Sequence, residues 1–233
     1  MSARGSVVFA LAAAAAAAPG PYDPTDRYEL RMIEGWKVRV HRGLLEEKKE
    51  LGARVLEHLR VKLYEVNRAL PRAARQKLLA GVTFWMEAGN PKVPGGCYHP
   101  SRTWLEEHGF NPDKEKGIEF GNPGNFLGWS RVQPSMVLHE LAHAYHHQVL
   151  GHDHAGIKEA FRRAVESRSY ESVLYYDGTR KRAYALNGDQ EYFAELSEAW
   201  FGTNDFYPFV RPEVREHDPG MAKLLPEVWG KED

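Results

Sequence analysis

Apolar positions alternate with polar ones in YELRMIEGWKVRVH (28–41): Tyr28, Leu30 and Met32, then Trp36, Val38 and Val40, with Glu34-Gly35 between the two runs. This period of two predicts a pair of half-buried strands joined by a tight turn. From Leu44 to Leu70 the period changes. Leu51, Val55, Leu59, Leu63, Val66 and Leu70 recur at spacings of three and four, which predicts one long helix ended by Pro71. In GVTFWME (81–87), Val82, Phe84 and Met86 alternate again and predict a third strand.

Residues 88–134 carry most of the turn signals, including Pro94-Gly95-Gly96, Asn111-Pro112-Asp113 and Gly121-Asn122-Pro123-Gly124. They are expected to form a loop-rich stretch with a short strand around 118–120, and to wall a cleft. Two helices are expected near 133–150 and 156–168, followed by a hairpin turning at Asp177-Gly178. A further helix is expected from about Gln190 to Phe201, stopping near Gly202 before a proline-bearing C-terminal segment. No internal repeat or composition break divides the chain, so residues 21–233 are expected to form a single α+β domain with a small mixed sheet.

The helix around 139 carries the chemistry. His139-Glu140-Leu141-Ala142-His143 has the form H-E-x-x-H. At about 100° per residue the two imidazoles lie about 40° and one turn apart, so both can grip one cation. Glu140 falls about 60° to the side of His143, where it can reach a water without becoming a ligand. Val137, Leu138, Leu141, Ala142, Tyr145 and Val149 form the opposite, apolar face. His146 lies about 20° from His139 but about 10 Å further along the axis, too far to share its site. His146 and His147 are expected at the cleft rim or beside the negative end of the helix. With His at 146 and Val at 149, the metzincin pattern H-E-x-x-H-x-x-G-x-x-H is excluded.

Catalytic zinc commonly keeps three protein ligands and an open position. GDQEYFAELSEAW (188–200) offers the third: Glu191, Glu195 and Glu198 share one helical face, and no Lys or Arg occurs between 189 and 201 to relieve them. Glu191 is expected to be the ligand. Glu195, one turn later, is expected to accept the outer N–H of a ligating histidine, with the exchange of these two roles left open. Glu198 is expected at the surface.

HELAH followed by EYFAE on a second helix resembles the gluzincin pattern of zinc peptidases, most closely the lethal factor-like catalytic domains. In that family a tyrosine precedes the ligating glutamate by seven residues, and here YALNGDQE puts Tyr184 seven before Glu191, on the second arm of the expected hairpin. The resemblance covers roughly residues 130–202. It implies a zincin-like fold, a Tyr184 hydroxyl facing the reacting carbonyl, and zinc-dependent hydrolysis of a protein or peptide substrate, with water on the metal activated by Glu140. A zinc-stabilised binding protein without activity and an amide hydrolase of non-peptide substrates would use the same ligands. Of these, the first has no need of Glu140.

Composition narrows the setting. The 233-residue chain has 31 Lys plus Arg against 32 Asp plus Glu and no long single-sign block, so no nucleic-acid partner is expected. MSARGSVVFALAAAAAAAPG (1–20) has Arg4 before an apolar run from Val7 to Ala18, the form of a secretory signal peptide, and export is expected. No later segment is apolar for long enough to span a bilayer, so no stable membrane insertion of the mature chain is expected. Cys97 in PGGCYHP is the only cysteine. It is expected to be buried, with a reach to the zinc as an inhibitory ligand as the alternative. His99 in the same loop is a weak candidate ligand.

Overall fold

The computed structural model describes residues 22–230; the expected signal peptide lies outside them. Strands β1 (Tyr28–Ile33) and β2 (Trp36–His41) form the expected antiparallel hairpin, with Glu34 and Gly35 both at positive φ in its turn. The expected single helix from 44 to 70 is two: a short α1 (Arg42–Glu46) and α2 (Lys49–Ala69). The side chain of His41 caps α1 by accepting from the amide of Gly43. On α2, Val55, Leu59, Leu63 and Val66 are buried as the period requires. The helix ends before Pro71 because Leu70 turns extended. A third helix, α3 (Arg72–Gly81), leads into β3 (Thr83–Met86).

The turn-rich stretch holds more structure than its composition predicts. It contains β4 (Gly96–Tyr98), α4 (Arg102–Glu107), β5 (Ile118–Phe120) and α5 (Pro123–Trp129). Each helix has a side-chain cap, from Ser101 to Trp104 N and from Asn122 to Asn125 N. Helices α6 (Met136–Tyr145) and α7 (Ala155–Ser167) follow, with a π-type turn at His146–Leu150 extending α6. Pro134 precedes α6 by two residues. The hairpin at Asp177-Gly178 is a minimal pair, β6 (Val173–Leu174) and β7 (Arg180–Lys181). Tyr184 is not on its second arm; it opens a single 3-10 turn, Tyr184–Asn187. Then come α8 (Asp189–Phe201), as expected, and two further helices, α9 (Arg211–His217) and α10 (Pro219–Trp229). Among the described residues no helix is long and apolar enough to cross a membrane.

The sheet order is β1-β2-β3-β5-β4, with β2, β3 and β5 parallel and β1 and β4 antiparallel at the two edges. The expected α+β class with a mixed sheet is therefore what the chain forms. Parallel strands need crossovers, and the connection from β2 to β3 is made by α1 to α3. Trp36, Val38, Val40, Phe84, Met86, Ile118 and Phe120 lie on one sheet face, and all are buried. Ring contacts run from Trp36 through Phe84 and Phe120 to Phe126 on α5. On the other face Trp85 and Glu119 are also buried, so neither strand shows a clean alternation.

Candidate metal centre

Helices α6 and α8 lie side by side and antiparallel: His143 meets Glu191, His139 meets Glu198, and Ser135 bonds Thr203. Every residue of α6 except His143 is buried, as is every residue of α8 from Tyr192 to Trp200. Such helices are held by neighbours on all sides, so their polar residues must meet one another.

His139 Nε2 and His143 Nε2 are 3.0 Å apart, and Glu191 Oε2 is 3.1 Å from the first and 3.3 Å from the second. Two imidazole nitrogens and a carboxylate oxygen so close require a proton or a cation among them. Donors about 2.0–2.1 Å from a tetrahedral zinc lie roughly 3.3 Å from one another, so the spacing fits that ion, and two imidazoles with one carboxylate are a donor set that zinc accepts. The three residues predicted as ligands are thus brought together. Burial opposes the charged form of His139, but its bonds to Glu191 and Glu198 prevail and hold its pKa well above the ordinary value. Burial likewise opposes ionised Glu191, but the two imidazoles hold its carboxyl below the usual range.

The outer nitrogen of His139 departs from expectation. Its Nδ1–H donates to Glu198 Oε1 at 2.6 Å, whereas Glu195 Oε1 is 3.8 Å away. Glu198 is therefore not a surface residue. It is completely buried, and it also accepts from Gln133 Nε2 at 2.9 Å. The reason is the antiparallel pairing: Glu198 is seven residues after Glu191, about two turns along the same stripe, and His139 is one turn before His143. With Nδ1–H so engaged, Nε2 is the nitrogen that faces Glu191 and His143, and its lone pair is the one a cation there would take. Glu195 is buried beside the same ring, and desolvation together with neighbouring Glu198 pushes its carboxyl well above the usual range.

Glu140 is buried and stands outside the donor set. A Cβ placed on Gly96 of β4 would lie 2.9 Å from its Oε1, so the bare glycine backbone is what leaves room for this carboxylate. Tyr184 is half exposed, with its ring centroid 6.5 Å from that of His139. Gly96, His139, Glu140 and Tyr184 line two adjoining cavities. The larger, about 450 Å³, extends towards Trp129 and Phe206; the smaller, about 260 Å³, towards His143 and Glu191. The turn-rich stretch, through Pro94, Gly95 and Gly96, does wall a cleft, as expected.

The remaining candidates stand outside the donor set, although Cys97 shares the lining of the smaller cavity with Glu140, His143 and Glu191. Cys97 pairs with Glu119 in the sheet register, so its side chain alternates to the face opposite Gly96 and packs with Val93, Leu105 and Phe110. Burial, then Glu140, Glu119 and Glu191, push its thiol up to about 12, and it is no part of the donor cluster. His99 is buried and bonds Glu119 at 2.8 Å. His146 is neither at the cleft rim nor a charge at the helix end. It is fully buried against Phe193, and desolvation followed by neighbouring histidines pushes its pKa down to about 4. His147 Nδ1 lies 2.7 Å from the Tyr98 hydroxyl.

Sequence reasoning missed Glu198, Gly96 and the outlying cavity wall. The seven-residue interval from Glu191 is the signal that could have found Glu198, whereas the wall comes from separate loops that share no spacing. Comparison of the chain with family models, with curated proteins and with solved structures finds no match.

Proposed function

We propose that the chain is a zinc-dependent peptidase of gluzincin type, with a zincin-like fold, and that it acts on protein or peptide substrates outside the cytoplasm. One observation carries the reading: three donors from two helices lie within 3.3 Å of one another at the wall of an open cleft, with Glu140 beside them but outside the set. A purely structural site would need neither the open cleft nor the extra carboxylate.

His139, His143 and Glu191 would hold the ion. Zinc, when bound, supplies the positive charge that polarises a scissile carbonyl and lowers the pKa of water. Glu140 takes a proton from the attacking water and returns it to the amide nitrogen as the C–N bond breaks, giving a carboxylic acid and an amine. Glu198 holds His139 in the tautomer and orientation that grip requires. Tyr184 donates a hydrogen bond from its hydroxyl to the carbonyl oxygen; burial and nearby Glu191 raise its pKa, so the proton stays on the phenol.

The free edge of β4 favours a peptide over a small amide. Gly95 and His99 bond across to Gly121 and Gly117 of the β5 side, so the alternate residues Gly96 and Tyr98 turn their backbone groups outward along the cleft. An extended substrate can pair there.

The test is Glu140→Gln. It should retain stoichiometric zinc while cleavage of an unfolded protein falls by about 10²- to 10⁴-fold, and a chelator should abolish cleavage by the unaltered chain. A Glu140→Gln protein as active as the original would overturn the assignment.

A further inference from the structure

The larger cavity is more acidic than hydrolysis requires. Besides Glu140 it is lined by Glu195 and Asp205, only 1% and 8% exposed. Asn204 is the polar side chain near the Glu195 carboxyl, but among the described residues the Oε2 of Glu195 has no partner in hydrogen-bond geometry. A buried carboxylate oxygen left unbonded is costly, and the cost is recovered only when a donor arrives. Among the described residues, the ion pairs of Glu195 and Glu198 are with His139 alone. Lys181, the lysine whose charge reaches Asp205, is engaged elsewhere: its Nζ sits 3.8 Å over the Tyr175 ring and 3.8 Å from Asp177. Burial, then Glu198, push the Asp205 carboxyl up to about 6, as expected for an acid short of positive neighbours.

The walls are aromatic. Tyr175 and Phe206 pack with ring centroids 4.6 Å apart, and Trp129, against Gly95, shares the lining. Aromatic faces above a carboxylate floor suit a flat or compact cation on an apolar stem: the stem lies along the rings and the charge meets the acids. A second metal ion is the poorer occupant. Although His139, Glu195 and Glu198 also bring donors within 4.8 Å, the Nδ1–H that Glu198 accepts at 2.6 Å would have to be lost.

We propose that this cavity is a specificity pocket that seats an arginine or lysine side chain of the substrate next to the cleaved bond, with Asp205 and Glu195 as its charge partners. The proposal rests on the peptidase reading for its cleavage consequence, but not for binding.

Two measurements on the full chain test it. Peptide pairs differing only in arginine or its neutral isostere citrulline, scanned through the positions flanking the cut, should show one position where arginine raises kcat/KM at least about tenfold. Asp205→Asn should bring that ratio close to one, and Glu195→Gln serves as the second variant if the first fails to fold. Separately, calorimetry should detect agmatine binding that weakens at least about tenfold in Asp205→Asn. Cleavage with a ratio near one at every flanking position overturns the pocket and leaves the peptidase reading standing. Agmatine binding that depends on Asp205, without cleavage of any peptide, upholds the pocket and sinks the peptidase. Neither cleavage nor binding overturns both.

Discussion

Gly96 and Glu198 are the two residues whose importance comes from contact rather than from a motif. A Cβ at 96 would meet Glu140 Oε1 at 2.9 Å and Phe120 Cε1 at 3.1 Å. Phe120 is locked in the core, so Glu140 must give way. Gly96→Ala should therefore leave zinc stoichiometry intact and lower the hydrolysis rate by about tenfold or more, since about 1 Å of displacement of a reacting group is enough for such losses. Metal analysis beside steady-state kinetics checks this, and an unchanged rate would remove Glu140 from the chemistry. Glu198→Ala should do the reverse. With the 2.6 Å bond to His139 gone, zinc affinity should fall about 10- to 100-fold, read by competition with a chromophoric chelator, and Glu195→Ala should cost less. His139, Glu140 and His143 were legible because spacing within one helix sets which of them can converge, and Glu191 because an acidic stripe on α8 without Lys or Arg offers the third donor, with Glu195 as the open alternative. Glu195 and Glu198 share a face in the sequence as well, but choosing between them needs the relative slide of two helices, which no single helix encodes.

At the scale of elements, the edge strand that faces Glu140 is pinned by a buried charged network. Lys114 Nζ donates to Glu87 at 2.7 Å and pairs with Glu119 at 2.9 Å. Glu119 also takes bonds from His99 and Asn90, and Glu87 from the Tyr28 hydroxyl. The network thus ties β1, β5 and the ends of β3 and β4 together behind the sheet. Lys114→Met would leave two buried carboxylates without their cation, so unfolding in urea should show a loss of about 3–5 kcal/mol. A loss below about 1 kcal/mol would mean that the network merely fills space. None of this was readable in the turn-rich stretch, because partners 27 and 59 residues apart obey no period. The hairpin and α2 were legible, since each buries a face that repeats, and α8 was legible from the helical period of its apolar and acidic positions although nearly all of it is buried. Helices α3, α4, α5, α9 and α10 escaped. They are short, and the prolines at 219 and 226 read as breakers although Pro219 sits in the first turn of α10 behind the Asp218 cap.

Across the whole molecule, the donor cluster depends on a helix pair that α10 clamps from behind. Trp229, at the end of α10, stacks on Tyr145 of α6 at 4.1 Å, packs on Phe193 and Phe201 of α8, and donates from Nε1 to Ser197 Oγ at 3.0 Å. The Tyr145 hydroxyl returns a bond to the Val228 carbonyl. One indole therefore touches both helices that supply ligands, and the distances among His139, His143 and Glu191 rest on how closely those helices pack. Trp229→Ala removes a fully buried ring and should cost about 3–5 kcal/mol of stability. Because only the folded chain brings the three donors together, saturating zinc should restore part of that loss, by about 4 kcal/mol at a thousand times its Kd. If the clamp sets the helix spacing, the variant's Kd rises, and at equal free zinc its gain in melting temperature is smaller than that of the original chain. Thermal scans of both proteins with zinc and with a chelator separate the cases: an equal zinc-induced rise would mean that the ligands hold their geometry without α10, leaving the indole a matter of stability alone.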